Sequence, residues 1–296
     1  MLEKFRFAGI SAILAAGIAF VAPANAQDAS QYSWEGFYVG ANVGGRFADD
    51  DLAASTRYCG GPGIVLNGNY FISTNGCYFA QSSADLVSSS GNQTVNPAGF
   101  TGGLQAGYNF QAGNFVAGVE ADFNLDRRSE AVSGTDFYTN VSPAYPFEVG
   151  QSIDTDWMAT VRARAGFTTG RTLIYATGGL ALTHVDYQMN FEDFPPPVPP
   201  GFVSSKATAS SSIQKTLAGW AVGAGAEFKI DDRWSLAGSY LFTQFDASGT
   251  SNDALMTTIN SSGGVNGTPQ PLQNQIFDND ITLRSHSFRI GINYKL

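Results

Sequence analysis

Hydrophobic and polar residues alternate strictly along the last segment of this chain, residues 285–296. A repeat of two residues is the period of a β-strand, whose side chains point alternately to the two faces of a sheet. The segment therefore predicts a strand with one apolar and one polar face. The apolar face carries His286, Phe288, Ile290, Ile292, Tyr294 and Leu296, and the polar face carries Ser287, Arg289, Gly291, Asn293 and Lys295.

The same alternation predicts seven further strands upstream. Short connections at 111–114, 168–171 and 231–233 predict antiparallel hairpins. On the fourth strand, the apolar face predicted to meet lipid begins with Ile153, Thr155 and Trp157. The seven segments are 36–46, 100–110, 115–124, 153–167, 172–186, 214–230 and 234–242.

Four long polar connections alternate with the three short ones. They span about 48–98, 126–150, 188–213 and 247–279, and the first leaves room for a hairpin around 63–79. Transmembrane barrels have an even number of strands, long outer loops and short periplasmic turns, whereas a secreted β-sandwich does not need that asymmetry. The expected fold is therefore all-β, an eight-stranded antiparallel transmembrane β-barrel with up-and-down strand order.

Aromatic residues near the predicted strand ends fit such a barrel, because aromatic girdles lie at the two membrane interfaces. The girdle candidates are Tyr108, Trp157, Tyr175, Trp220, Trp234 and Tyr294.

The first 26 residues have the features of a secretory signal peptide. A basic start is followed by an apolar run at 7–22 and by Ala24-Asn25-Ala26, an A-x-A cleavage site. The run is short for a membrane-spanning helix. We expect cleavage after Ala26, which leaves residues 27–296 as the barrel domain with its long extracellular loops.

Charge and cysteine content narrow the possible partners. The net charge of −9 disfavours nucleic acid, which requires a basic surface. Cys59 and Cys77, the only cysteines, predict a disulfide in an oxidising compartment. Without neighbouring histidines they do not form a zinc site, and His184 and His286 are too far apart in sequence for a ligand pair. No metal or cofactor is expected.

Charged residues on the polar faces predict an ion-pair network in the barrel lumen. Glu120 and Arg162 lie at about the same height on neighbouring strands when residues are counted from the short turns. Buried charges are retained when paired, and an eight-stranded barrel is narrow enough to be filled by side chains. The expected network contains Arg46, Glu120, Asp122, Arg162, Arg164, Glu227 and Arg289.

Two arrangements have a catalytic alternative. Glu120 and Asp122 form a carboxylate pair, but structural ion pairs with nearby arginines explain them more simply. Ser285-His286-Ser287 suggests nucleophilic chemistry, yet His286 falls on the lipid face and has no identifiable acidic partner. An enzyme is therefore the least favoured class.

Two motifs carry a resemblance to a known family. The spacing Arg289-x-Gly291-x-x-Tyr294-x-Leu296 and the opening Trp34-Glu-Gly-Phe-Tyr-Val-Gly-Ala-Asn-Val-Gly-Gly resemble Gram-negative outer-membrane β-barrels of the porin and OmpA/OmpX-like small surface protein type. The resemblance implies an outer-membrane location, contact with lipid and lipopolysaccharide, and recognition of the C-terminal residues by the barrel-assembly machinery. Leu296 departs from the terminal Phe usual in the family, which puts the strength of that signal in doubt.

The resemblance leaves three functional classes open. A structural surface protein would contact an extracellular ligand or host surface through its loops, and some relatives of this type bind hemin. A porin would pass small solutes, which the narrow interior disfavours. An enzyme would need a site that the sequence does not reveal. A peptidoglycan-binding domain like that of OmpA is not expected after Leu296, so cell-wall tethering does not carry over.

Overall fold

The computed structural model describes residues 32–57, 63–66, 70–73, 79, 81–140, 143–195, 203–251, 254–261, 265–266 and 270–296. The predicted signal peptide and the cysteines Cys59 and Cys77 lie outside these residues. Cleavage after Ala26 and the Cys59–Cys77 disulfide therefore stay predictions.

Eight long strands form a closed antiparallel ring, which confirms the predicted barrel. Each strand pairs with the next along the chain, and the last pairs with the first. The strands are β1 (Gly36–Ala48), β2 (Ala98–Ala112), β3 (Phe115–Phe137), β4 (Pro146–Thr169), β5 (Thr172–Asp193), β6 (Val203–Lys229), β7 (Trp234–Ser251) and β8 (Phe277–Lys295).

Three short turns close one end of the barrel, and local chemistry explains each of them. Gly113 and Gly170 have positive φ angles of 60° and 58°, a conformation that glycine adopts without steric cost. In the third turn, the Asp231 carboxylate accepts hydrogen bonds from the Trp234 and Arg233 N–H groups at 2.7 and 2.8 Å. These hydrogen bonds hold the pKa of Asp231 below its usual range.

The barrel has two parts with opposite polarity. We call residues 32–48, 98–126, 157–183, 217–243 and 286–296 the membrane half, and the remaining described residues the outer half. In the membrane half, apolar side chains face outward and most of the interior is polar, although Leu217 and Leu241 are among the apolar residues buried there. In the outer half the apolar side chains face inward, as in a water-soluble barrel. The buried apolar residues there include Phe147, Ile153, Val185, Tyr187, Met189, Phe191, Phe277, Ile281 and Leu283.

Aromatic pairs mark both edges of the apolar belt around the membrane half. Trp234 packs against Tyr294 near the short turns, with ring centroids 4.9 Å apart. At the other edge, Trp220 packs against Phe242 with centroids 5.2 Å apart. Eight residues separate Trp234 from Phe242 on β7, which is roughly 26 Å along a strand and about 20 Å of height at a barrel tilt near 40°. The belt is therefore a little shorter than the apolar band of roughly 25 Å that is typical of outer-membrane barrels.

An irregularity in strand pairing produces the change of polarity on β4. The register shifts between Leu125 and Arg128 on β3 and between Thr155 and Met158 on β4. An extra residue in a ladder exchanges the faces of the residues beyond it. Ile153 and Thr155 consequently point inward and are buried, so their predicted position on the lipid face was wrong.

The predicted loop boundaries also need correction, because the strands continue far beyond the membrane half. β3 and β4 occupy both ends of the segment 126–150, β5 and β6 occupy most of 188–213, and β7 and β8 enter 247–279. Their outward residues are polar there, and the apolar inner face stabilises the strands instead. Three short strands also lie in the last connection, Ala254–Ser261, Val265–Asn266 and Gln270–Asn274.

The first long connection is a folded insertion and not a simple loop. The strand Asp50–Thr56 continues the line of β1 and pairs with β8, and Asn92–Val95 pairs with Asp50–Thr56 in turn. The hairpin that the sequence left open pairs Gly63–Leu66 with Tyr70–Ser73. A helix that the sequence did not predict, α1 (Gln81–Ser90), buries Ala84 and Val87 in the outer half.

Candidate functional site

A network of buried charges fills the lumen of the membrane half. Glu120 on β3 lies directly opposite Arg162 on β4, and an Arg162 Nη2–Glu120 Oε1 ion pair of 2.7 Å joins them. The same Arg162 nitrogen lies 2.6 Å from Asp122 Oδ2. Arg289 reaches Asp122 from β8 at 3.3 Å. Two arginines and two carboxylates, contributed by β3, β4 and β8, therefore meet inside the lumen.

A second part of the network lies closer to the short turns. Arg164 contacts Glu120 at 3.3 Å and Glu227 at 3.0 Å, so it links β3, β4 and β6. The Tyr38 hydroxyl donates to Glu120 at 2.6 Å. Tyr175 faces this network and not the predicted girdle, because its ring lies 4.0 Å below the Arg164 guanidinium. The lumen is thus crossed by contacts between non-neighbouring strands.

The network extends upward beyond the predicted residues, through Asp126, Arg128 and Asp50. Arg46 pairs with Asp126, and Arg128 pairs with Asp50. Asp126 and Arg128 continue the even-numbered inward positions of β3 and could have been found from that period. Asp50 belongs to the insertion, whose path the sequence does not indicate.

An aromatic cluster fills the interior of the outer half. The Phe191 ring lies 5.3 Å from Phe79, 6.3 Å from Phe147 and 6.0 Å from Phe277 between centroids. Burial beside these rings also raises the pKa of Tyr138, which keeps its hydroxyl neutral. Along the described part of the chain, the barrel interior is therefore occupied at both levels, by charges below and by aromatic rings above.

The two halves differ strongly in charge. The outer half carries fifteen aspartates and glutamates but only six arginines and lysines, whereas the membrane half carries seven and eight. Like charges even lie directly opposite each other, Asp154 beside Asp186 and Glu148 beside Glu192. Nearly all of the net negative charge is therefore presented outside the membrane belt.

The serines and the histidine at 285–287, the alternative nucleophilic site, lie on opposite faces of β8. Ser285 and Ser287 point inward and are buried, whereas His286 points outward and its Nδ1 lies 2.8 Å from the Tyr240 hydroxyl. Among the described residues, no group of three or more histidine, cysteine or acidic side chains could hold a metal ion. The same part of the chain contains no helix long and apolar enough to cross a membrane.

The C-terminal residues singled out in the sequence lie along the seam between β8 and its two neighbours. Arg289 faces the lumen, and Gly291 lies opposite Asn42 of β1 and Ala237 of β7. Tyr294 faces outward. The Leu296 N–H group donates to the Phe37 carbonyl oxygen at 3.0 Å while its side chain stays exposed.

A closed ring of eight antiparallel strands with an apolar outer belt and a charged lumen defines an integral outer-membrane β-barrel. The sequence matches the family described as outer membrane protein beta-barrel domain over residues 12–295, and the chain belongs to that family. The outer membrane is therefore its location.

Curated relatives have names consistent with this assignment. The chain is 28% identical over 266 residues to a 31 kDa outer-membrane immunogenic protein of Brucella melitensis, covering 89% of this chain and 84% of the relative. It is 24% identical over 203 residues to a 25 kDa outer-membrane immunogenic protein of the same species, covering 68% of each chain. These relatives are named as immunogenic proteins of the outer membrane and not as enzymes.

Among solved structures, the outer membrane protein OprG of Pseudomonas aeruginosa is similar with a TM-score of 0.37 and 14% identity. That match covers 88% of this chain and 96% of OprG.

Proposed function

We propose that this protein is a structural and interaction protein of the cell surface, in which the closed barrel is the anchor and the outer half contacts a partner with a basic surface. The observation that carries the proposal is the charge of the outer half, fifteen acidic against six basic residues. Clustered charge of one sign attracts partners of the opposite sign and accelerates their association.

The placement of the acids supports a binding role. Like charges directly opposite each other on neighbouring strands destabilise a sheet. Asp154 and Asp186 are such a pair, and a hydrogen bond from Gln214 to Asp186 at 2.7 Å offsets part of this repulsion. A partner with lysine or arginine side chains would remove this repulsion when it binds.

Neutralising that pair is expected to weaken binding of a basic partner. We expect the double variant Asp154→Asn/Asp186→Asn, in lipid nanodiscs, to bind a lysine-rich peptide several-fold more weakly than the wild type. The difference should shrink as salt screens the exposed charges. Surface plasmon resonance at two salt concentrations measures both effects.

The matched control changes the same charge at the opposite end of the barrel. Glu35 and Asp232 are both exposed near the short turns, so Glu35→Gln/Asp232→Asn should leave peptide binding unchanged. Equal binding by the wild type and the Asp154/Asp186 variant would contradict the proposal, as would an equal loss in the control.

The competing function is that of a small-solute porin. We expect no steady channel openings in a planar lipid bilayer, because ion pairs bridge the lumen and aromatic rings occupy the outer half. A porin inserted under the same conditions provides the positive control. Sustained openings of constant size in the purified protein would contradict the closed barrel.

We also propose that the protein is not an enzyme. The two carboxylates that sequence spacing offers as a catalytic pair, Glu120 and Asp122, are both engaged by arginines and buried away from solvent. For a ligand of the hemin type, His286 is already hydrogen-bonded to Tyr240 on the membrane face. The carboxylate pair therefore favours a structural role over catalysis, and His286 favours a structural role over binding a ligand.

A further inference from the structure

A broad apolar groove crosses the outward-facing wall of the membrane half. Its volume is about 1130 Å³, and it runs across β6, β7, β8, β1, β2 and β3. Gly45, Gly102 and Gly238 line its floor. Phe100, Tyr240 and Phe288 rise beside them as walls. The groove lies within the belt that faces lipid, so its natural occupant is an apolar chain.

The glycines create the groove by leaving outward positions without side chains. On a lipid-facing strand these positions ordinarily carry apolar side chains. Gly45 lies opposite Phe288 on one side and Phe100 on the other. A Cβ atom added to Gly45 or Gly238 would meet no atom within 4 Å. The floor is therefore open space between bulky aromatic walls.

One cation lies at the end of the groove that is farther from the short turns. Arg127 lines the groove and faces outward two residues beyond Leu125, at the edge of the apolar belt. Among the described residues no ion pair engages its guanidinium, whereas Arg284 pairs with Asp51. Arginine binds phosphate through two parallel hydrogen bonds.

We propose that this groove holds a phosphorylated, acylated lipid of the outer leaflet, the chemistry of the lipid A part of lipopolysaccharide. An acyl chain covers the floor formed by Gly45, Gly102 and Gly238, and a headgroup phosphate binds Arg127. The acidic residues of the outer half disfavour phosphate over most of that surface, whereas Arg127 lies directly beside the groove. The proposal depends on the membrane placement of the barrel and is independent of the basic-partner function.

Native mass spectrometry of the full-length barrel in detergent, with bisphosphorylated lipid A added, tests the proposal. We expect the wild type to retain one lipid A molecule. Arg127→Gln should lower that retention roughly tenfold, because the variant loses a charge-assisted hydrogen bond to the phosphate; a factor of ten is about 1.4 kcal/mol. Gly45→Leu/Gly238→Leu fills the floor and should lower retention of bisphosphorylated and dephosphorylated lipid A alike.

Two control variants make the same types of substitution outside the groove. Arg171→Gln removes an exposed arginine beside a short turn, and Gly178→Leu adds a side chain at an outward glycine outside the groove, where a Cβ has only ordinary contact at 3.6 Å. Both should retain lipid A like the wild type. A heat-dependent shift in gel mobility verifies that each variant is folded.

Three results would overturn the proposal. If Arg127→Gln retains lipid A like the wild type, Arg127 does not bind the phosphate. If Gly45→Leu/Gly238→Leu retains lipid A like the wild type, the groove does not hold the acyl chain. If the wild type is a dimer that the filled floor converts to a monomer without changing lipid retention, the occupant is a second copy of this chain.

Discussion

Replacing Arg162 by methionine is expected to lower the free energy of unfolding by about 3–5 kcal/mol, the cost of removing one partner from a buried ion pair. Arg162 lies between Glu120 and Asp122 at 2.7 and 2.6 Å, and its side chain is almost fully buried. Without it, two carboxylates on one face of β3 remain in the lumen with less compensating charge. Urea unfolding in lipid vesicles, followed by tryptophan fluorescence, measures the loss.

A second variant and a control separate charge from packing. Adding Glu120→Gln to Arg162→Met removes one of the two uncompensated carboxylates and should recover part of the stability. Arg171→Met changes an exposed arginine whose Nε donates to the Tyr32 hydroxyl, and should cost less than about 1 kcal/mol. If Arg162→Met unfolds like the wild type, the lumen network does not stabilise the barrel.

The membrane half could be predicted because lipid imposes one rule on every strand. Outward residues there must be apolar and inward residues polar, so a period of two in the sequence reports strand direction directly. Phe288 and Ile290 face outward and Arg289 faces inward, as their spacing indicates. Counting from the short turns also sets Glu120 and Arg162 at one height, where the structure pairs them.

The outer half could not be predicted by the same rule. Its strands reverse the pattern, so polar outward residues made 126–150 and 188–213 resemble loops. The register shift between Thr155 and Met158 moves Ile153 to the inner face, and no residue type in the sequence indicates such a shift. Helix α1 also lacks an obvious apolar stripe, because only Ser83, Ala84 and Val87 are buried along it.

The charged residues that were not predicted also differ in whether a sequence pattern could have indicated them. Asp126 and Arg128 belong to β3 and obey its alternation, so a longer strand would have included them. Asp50 reaches Arg128 only because the insertion places the strand Asp50–Thr56 beside β8. Contacts that depend on a long connection returning to the barrel are set by tertiary packing and have no local sequence pattern.

Removing residues 294–296 is expected to abolish assembly of the barrel in the outer membrane. These residues close the seam at the end of the barrel near the short turns, where β8 meets both of its neighbours. The Lys295 N–H group donates to the Arg233 carbonyl at 2.8 Å, and the Leu296 N–H group donates to the Phe37 carbonyl at 3.0 Å. Tyr294 also packs against Trp234. The measurement is the amount of heat-modifiable protein in the outer-membrane fraction.

Two further variants separate the closure of the seam from recognition by the barrel-assembly machinery, which we propose reads the C-terminal residues. Leu296→Ala keeps the backbone hydrogen bond to Phe37 and should assemble, since the Leu296 side chain is 75% exposed. Leu296→Phe supplies the terminal residue usual in the family and should assemble at least as well as the wild type.

Folding of the truncated chain into lipid vesicles without the machinery identifies the cause of the defect. Each unpaired backbone group costs free energy in an apolar environment, so an open seam should prevent folding there as well. A truncated chain that folds in vesicles but fails in cells would assign residues 294–296 to recognition. Normal heat-modifiable protein in the outer membrane of cells would show that these residues serve neither purpose.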